Sequence, residues 1–167
     1  MFTDDHNILT ENNIWKSLLD LQEGDKVATL NTDADKIIFT PVTSVKRCEY
    51  NDQIYHICVP DTDFRVTMNH TLFAKIYDEK AKTWSEYTYY TANDIIGKQI
   101  KFKHAPCFGI INEGDDPGVE RIYNYNGTII QVEIDSPSKL FLIKRNGKAA
   151  WISFTSDEDV EHTTHTE

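Results

Sequence analysis

The chain repeats part of its own sequence at an offset of 75 residues. Residues 50–59 (YNDQIYHICV) return as residues 125–134 (YNGTIIQVEI), and residues 19–27 (LDLQEGDKV) return within one residue of that offset as residues 93–100 (NDIIGKQI). A solenoid needs more copies at a shorter period. The repeat therefore predicts one domain of two similar halves related by a pseudo-two-fold axis.

Strand-forming sequence dominates both halves. Stretches rich in β-branched and aromatic residues, mostly bounded by Asp, Asn, Gly or Pro, predict strands, and they cover residues 26–30, 36–46, 53–59, 64–68, 71–77, 83–90, 99–103, 128–134, 139–144 and 148–154. Helical signals are confined to short turns within residues 13–21 and 92–97. Pro41 predicts a bend or a sheet edge in its strand. We expect an all-β fold.

Two Asn-Gly pairs predict hairpin turns. A two-residue hairpin loop needs positive φ at both central residues, which Asn-Gly adopts readily. Asn146-Gly147 lies between two apolar runs, and Asn126-Gly127 follows a tyrosine-rich run.

Charge and cysteine content narrow the classes of partner and compartment. Seventeen basic against 27 acidic residues give a net charge of -10, which opposes attraction to a phosphate backbone; nucleic-acid binding would need the basic residues 98–104 (KQIKFKH) to outweigh it. No apolar run is long enough to cross a bilayer, and no secretory signal is recognised. Three unpaired cysteines predict reduced thiols in a cytosolic setting.

Residues 1–155 are predicted to form the folded domain and residues 156–167 an acidic, disordered tail. The tail (DEDVEHTTHTE after Ser156) is almost entirely polar and cannot bury enough apolar surface to offset its ordering entropy. Residues 113–118 (EGDDPG) have loop chemistry and are expected to connect the halves.

Several motifs occur in a characteristic order. Residues 1–13 (MFTDDHNILTENN) precede residues 24–29 (GDKVAT), then Val66-Thr67-Met68-Asn69-His70, and finally residues 145–151 (RNGKAAW). Together they resemble the Hint fold shared by inteins and the autoprocessing domain of Hedgehog proteins, and the last stretch is similar to the closing hairpin of phage-borne inteins. The resemblance implies a pseudo-two-fold horseshoe of antiparallel strands.

The resemblance also implies a chemistry at the start of the domain. In that family a Cys or Ser at the first position attacks the preceding carbonyl, and the Thr and His of a T-x-x-H motif assist, the His by protonating the leaving nitrogen. Thr67 and His70 match this motif and are the catalytic candidates. Met1 stands at the nucleophile position, and a thioether cannot attack as a thiolate does.

The closing positions also depart from the family. Splicing ends when a terminal Asn cyclises, but Phe154 stands at that position, while Thr155 keeps the hydroxyl that should follow. Gln131 stands where many inteins place a catalytic Asp or Cys. Natural decay or repurposing fits these residues better than an engineered trap, which would use alanine. A shifted match at one end, or a start methionine replacing a cysteine, are the alternatives.

We therefore expect a non-splicing Hint-like domain that acts as a binding or structural module, encoded by a phage or virus and present in the host cytoplasm or the virion. The alternative is an autoprocessing intein with residual N-terminal cleavage. A protein partner is expected, with no nucleic acid, membrane, metal or cofactor.

Three further groups of residues can each be interpreted as structural or as functional. His56 and Cys58 share a strand face, but two ligands do not complete a structural zinc site. Cys58 or Cys107 paired with His70 would suit a thiol protease, but neither lies in a nucleophile turn. The aromatic stretch from Trp84 to Tyr90 favours side chains that pack on the two faces of a strand over a protein-contact patch.

Overall fold

The structure, a computed structural model, describes residues 1–59, 61–104 and 119–154. Strands dominate these ranges, and the all-β prediction is confirmed. No helix in them is long and apolar enough to span a bilayer. The strands are β1 (Phe2–Thr3), β2 (Asn7–Thr10), β3 (Ile14–Ser17), β4 (Lys26–Asn31), β5 (Lys36–Val59), β6 (Thr62–Thr67), β7 (Thr71–Asp78), β8 (Thr83–Trp84), β9 (Thr88–Thr91), β10 (Ile100–Phe102), β11 (Val119–Ile134), β12 (Leu140–Arg145) and β13 (Lys148–Ser153).

Within the described ranges, three short helical segments interrupt the strands: 3-10 turns at Glu11–Asn13 and Leu18–Asp20, and α1 (Ala92–Ile95). The larger sheet runs in the order β11-β1-β6-β5-β4-β12-β2-β3, with β13 beside β12, and the smaller sheet groups β7 with β8, β9 and β10. The expected single strand at residues 83–90 is two strands, because β8 and β9 pair with different parts of β7.

The long strands β5 and β11 form a two-stranded antiparallel ribbon, the longest strand pairing in the described ranges. Their register runs from Val119 opposite Cys58 to Ile134 opposite Val42, with one irregularity next to Glu133. The predicted break in β5 between residues 46 and 53 is therefore wrong. Continuous cross-strand pairing extends the strand through the polar residues 47–52.

The predicted hairpin at Asn126-Gly127 is also wrong. Asn126 pairs with Asn51 and Gly127 with Tyr50, in the middle of the ribbon. A Cβ on Gly127 would lie 2.6 Å from the hydroxyl of Tyr125. The glycine therefore serves close packing of a tyrosine ring over the strand, a role that glycine also plays within sheets, and not a reversal of the chain.

The ribbon register places the pseudo-two-fold axis. Asn51 lies directly opposite Asn126, which is its own repeat equivalent 75 residues later, and the Asn124 side-chain amide donates to Asn51 Oδ1 at 2.8 Å. The second repeat pair also matches. Leu18–Asp20 and α1 are each followed by a glycine with positive φ, Gly24 at 91° and Gly97 at 76°, and then by a strand.

Two apolar clusters fill the fold. The first contains Phe2, Phe64, Phe141 and Phe154, and the second is built around Trp151. The predicted hairpin at Asn146-Gly147 is confirmed, since both residues have positive φ and the flanking strands pair directly. This hairpin returns the chain through the core and brings the end of β13 towards the beginning of the molecule.

Candidate functional site

Residue 1 is held by the end of β6. Phe2 pairs with Ile130 on β11 and with Val66 on β6, so the chain begins beside Thr67. The Met1 amine donates to Thr67 Oγ1 at 3.1 Å, and the Met1 carbonyl accepts from the Thr67 backbone N–H at 2.9 Å. Thr67 therefore holds both the nitrogen and the carbonyl oxygen of Met1.

His70 lies between the two ends of the domain. Its Nδ1 is 2.7 Å from the Met1 nitrogen, and its Nε2 is 2.6 Å from the Ser153 carbonyl oxygen. A carbonyl only accepts, so Nε2 carries the proton and the Nδ1 lone pair faces the Met1 amine. One imidazole thus contacts residues 69 positions before it and 83 positions after it.

The environment of His70 keeps it neutral. The ring is fully buried, and burial, followed by the nearby amino-terminal charge, holds the pKa of His70 well below its usual value of 6.5. The Phe2 ring meets the imidazole edge-on at 4.6 Å between centroids. A neutral, desolvated imidazole whose Nδ1 lone pair faces the Met1 nitrogen can exchange a proton with a nitrogen at that position.

A tight turn presents Thr67 and His70 to residue 1. The His70 N–H donates to the Thr67 carbonyl at 3.0 Å, and the Thr67 hydroxyl donates to Asn69 Oδ1 at 2.8 Å. Because that hydroxyl proton is directed at Asn69, the oxygen lone pairs of Thr67 remain for the Met1 amine.

Phe154 is built into the core beside the other contact of His70. Its N–H donates to the Lys139 carbonyl at 3.1 Å, and its ring stacks on Phe141 at 5.5 Å with an angle of 18° between the planes. The ring is 7% exposed. The Phe154 side chain, which the resemblance places at the position of the terminal Asn, is therefore a packing group without a nucleophilic atom. Thr155, the next position, lies outside the described residues.

Gln131 lies one residue beyond Ile130, which pairs with Phe2. It stands opposite Lys46, and its side-chain amide donates to Glu133 Oε1 at 3.4 Å. An amide is not a nucleophile of the kind that a Cys at this position would supply.

A buried histidine behind the site was not predicted. His6 Nδ1 donates to the Thr3 carbonyl at 2.9 Å, and its Nε2 accepts from the Arg65 backbone N–H at 3.2 Å. Burial lowers the pKa of His6 to about 4. The only sequence signal was its place after the acidic residues of the opening motif.

A charged network supports this region, and its residues were also missed. Arg145 Nη1 donates to Asp63 at 2.5 Å, and its Nη2 reaches Asp5 at 2.9 Å. Arg65 donates to the same Asp5 at 2.7 Å. Burial raises the pKa of both carboxyl groups, but hydrogen bonds outweigh it and hold each pKa far below its usual range. The bonds come from Thr3, Arg145 and Arg65 at Asp5, and from His56, Asn146 and Arg145 at Asp63. The network ties the β1–β2 connection to β6 and β12.

An open cavity of about 450 Å³ adjoins residue 1. Met1, Thr67 and Asn69 line it together with Cys48, an exposed thiol on β5. A segment attached to the Met1 nitrogen would begin next to this cavity.

The remaining histidine and cysteine candidates contact neighbouring charged side chains. His56 Nε2 pairs with Asp63 at 2.9 Å, and Cys58 Sγ accepts from Lys148 at 3.4 Å. No cluster of metal-ligating side chains occurs in the described ranges. Cys107 lies outside them.

Comparisons with known proteins agree with this architecture. No family model matches the chain. A curated protein, the DNA-directed RNA polymerase subunit beta C-terminal section of Stigeoclonium helveticum, is 29% identical over 100 residues, which are 60% of this chain and 9% of that protein.

Solved structures give a broader match. A splice-inactive variant of the AceL NrdHF class 3 split intein superposes with a TM-score of 0.67 and 14% identity, over 92% of this chain and 97% of that chain. The TvoVMA intein gives 0.66 and 10%, over 92% and 97%. A bacterial intein-like domain from Clostridium thermocellum gives 0.59 and 13%, over 91% and 96%. The described chain therefore has the all-β Hint fold of inteins.

Proposed function

We propose that this chain, which has the fold of inteins, is a splicing-inactive domain that keeps the folded scaffold of the splice site and now serves as a protein-binding module. The observation that carries the proposal is the position of His70. Its two ring nitrogens lie 2.7 Å from the Met1 nitrogen and 2.6 Å from the Ser153 carbonyl, while the side chains at both junctions lack a reactive atom.

The N-terminal junction keeps the assisting groups without the nucleophile. An acyl shift requires a thiol or hydroxyl on residue 1 and a proton donor for the leaving nitrogen. Thr67 and His70 lie within hydrogen-bond distance of that nitrogen. The Met1 thioether carries no proton to lose, and attack by it would give a sulfonium ion and not a stable thioester.

The C-terminal junction has lost its reaction altogether. Cyclisation requires a side-chain amide that can reach its own backbone carbonyl, and Phe154 has none. Its stacking on Phe141 at 5.5 Å indicates that the position now contributes to stability. A junction residue that stabilises the fold supports the proposal that the folded domain, and not the splicing reaction, is what the protein uses.

A fusion experiment tests the loss of splicing. We expect the full chain, placed between two reporter proteins, to remain an intact precursor on denaturing gels. Met1→Cys should release the upstream reporter when dithiothreitol is added, because a thiolate then lies beside the retained Thr67 and His70. His70→Ala in that background should abolish the release.

Two controls complete this experiment. Met1→Ala measures background hydrolysis, and Cys48→Ala in the Met1→Cys background excludes capture of the acyl group by the other thiol near residue 1. Ligated reporters from the unaltered chain would contradict the proposal. Release from the unaltered chain that depends on His70 would favour the second candidate function, residual N-terminal cleavage. The contacts of Thr67 and His70 with the Met1 nitrogen support that candidate.

A further inference from the structure

Two lysines lie side by side on the small sheet. Lys75 on β7 is directly opposite Lys101 on β10, and among the described residues neither forms an ion pair, whereas Lys103 in the same row pairs with Asp35 at 3.2 Å. Like charges directly opposite each other destabilise a sheet. An anion bound across the pair would remove that repulsion.

Aromatic rings hold these ammonium groups in place. Lys75 Nζ lies 4.7 Å from the Tyr87 ring centre, and Lys101 Nζ lies 4.3 Å from that of Trp84. Tyr87 is stacked on Phe73 at 5.3 Å, with 16° between the ring planes. Cation–π contacts order the lysine side chains before a ligand arrives, so less entropy is lost on binding.

The same contacts argue against stacked nucleobases. Binding of single strands without sequence preference uses open aromatic faces on which bases stack. Tyr87 has Phe73 on one face and lysine ammonium groups near its ring, and a face of Trp84 is covered by Lys101. The net charge of -10 adds a repulsion that a polynucleotide would feel more than a short acidic peptide.

An adjoining cavity supplies an apolar contact. It has a volume of about 390 Å³ and borders Lys101 and Trp84, with Ile57, Val59 and Ile100 among its apolar walls. Among the described residues that line it, the carboxylate is Glu120, which is engaged by the Gly97 N–H at 2.9 Å and by the Tyr55 hydroxyl. Carboxylates of a ligand can therefore meet the lysines while an apolar side chain enters the cavity.

We propose that this surface binds an acidic peptide segment of a protein partner, with carboxylates on Lys75 and Lys101 and one apolar side chain in the adjoining cavity. The inference names the partner class for the binding role and rests on that half of the proposed function. The junction residues are not involved, so peptide binding and the absence of splicing are measured separately.

Fluorescence anisotropy with the full chain and a labelled peptide, Asp-Glu-Phe-Glu-Asp, tests the proposal. We expect saturable binding that Lys101→Glu weakens by about tenfold or more and that falls as salt rises from about 50 to about 200 mM. Lys101→Gln should show a smaller loss. Lys26→Glu makes the same charge change on exposed β4 and should leave the affinity unaltered. Thermal melts confirm that each variant is folded.

Three results would overturn the proposal. They are the absence of saturation below about 1 mM peptide, equal weakening by Lys26→Glu and Lys101→Glu, and tighter binding of a labelled oligothymidine than of the peptide. The last result would identify a nucleic-acid surface. A peptide with Ser in place of Phe should bind less tightly, and unchanged affinity would remove the cavity from the site.

Discussion

Replacing Phe154 by alanine tests whether the position that we propose as a lost splice junction stabilises the fold. The ring is 7% exposed, stacks on Phe141 and belongs to the main apolar cluster. If the position still served chemistry alone, its side chain would contribute little to folding. If it has become a core residue, truncation should leave a cavity against Phe141.

The expected cost follows from burial. Phe→Ala in a protein core costs about 3–5 kcal/mol. Phe154 lies just beyond the last residue of β13, where its backbone is outside the β12–β13 strand pairing and can adjust towards the cavity, so we expect the lower value, about 3 kcal/mol. For a chain of this size 1 kcal/mol corresponds to about 2–4 °C in melting temperature. Phe154→Ala should therefore lower the melting temperature by about 6–12 °C.

Circular dichroism melts and urea unfolding measure this effect against a matched substitution. Phe39→Ala makes the same chemical change on β5, where the ring is 39% exposed, and should cost less than about 1 kcal/mol. Equal shifts for the two variants, or a loss below about 1 kcal/mol for Phe154→Ala, would refute the view that this position was recruited into the core.

Two further predictions concern the buried charges and histidines. His6 is neutral when folded with a pKa of about 4, whereas the unfolded chain takes up its proton near pH 6.5. The contribution of His6 to stability should therefore be full above that pH and decrease by about 3 kcal/mol as pH drops to about 4. Urea unfolding of His6→Gln should show a shallower pH slope, and an unchanged slope would contradict the assignment. Arg145→Met leaves Asp63, whose side chain is 3% exposed, without its guanidinium and should cost about 3 kcal/mol. The same change at exposed Arg121 should cost under about 0.5 kcal/mol, and similar losses would show that the network is not stabilising.

Local chemistry was sufficient to predict much of the fold. The β-branched and aromatic runs became strands, the turn at Asn146-Gly147 formed where positive φ was needed, and the 75-residue repeat became the relation between Asn51 and Asn126 across the ribbon. The predicted helical turn within residues 92–97 also formed as α1. These features depend on neighbours in sequence or on direct repetition, which a single chain displays.

The errors arose where a long-range partner overrode a local signal. Asn126-Gly127 has the sequence of a turn, but it stays extended. The residues before and after it pair with β5, and a tyrosine ring lies over the glycine. The network of Arg145 with Asp5 and Asp63 was missed for a related reason. Its members are 140 and 82 residues apart, and no local spacing connects them.

The strand-rich composition, the two-fold plan, and the identities of Thr67, His70, Met1 and Phe154 can be read from the residues and their order. The contacts of His70 with the Met1 nitrogen and the Ser153 carbonyl cannot, because they exist only in the folded chain. That meeting depends on β1 pairing with β6 and on the β12–β13 hairpin returning through the core. Side chains so far apart in sequence come within hydrogen-bond distance because burying both apolar clusters brings the two ends of the domain together.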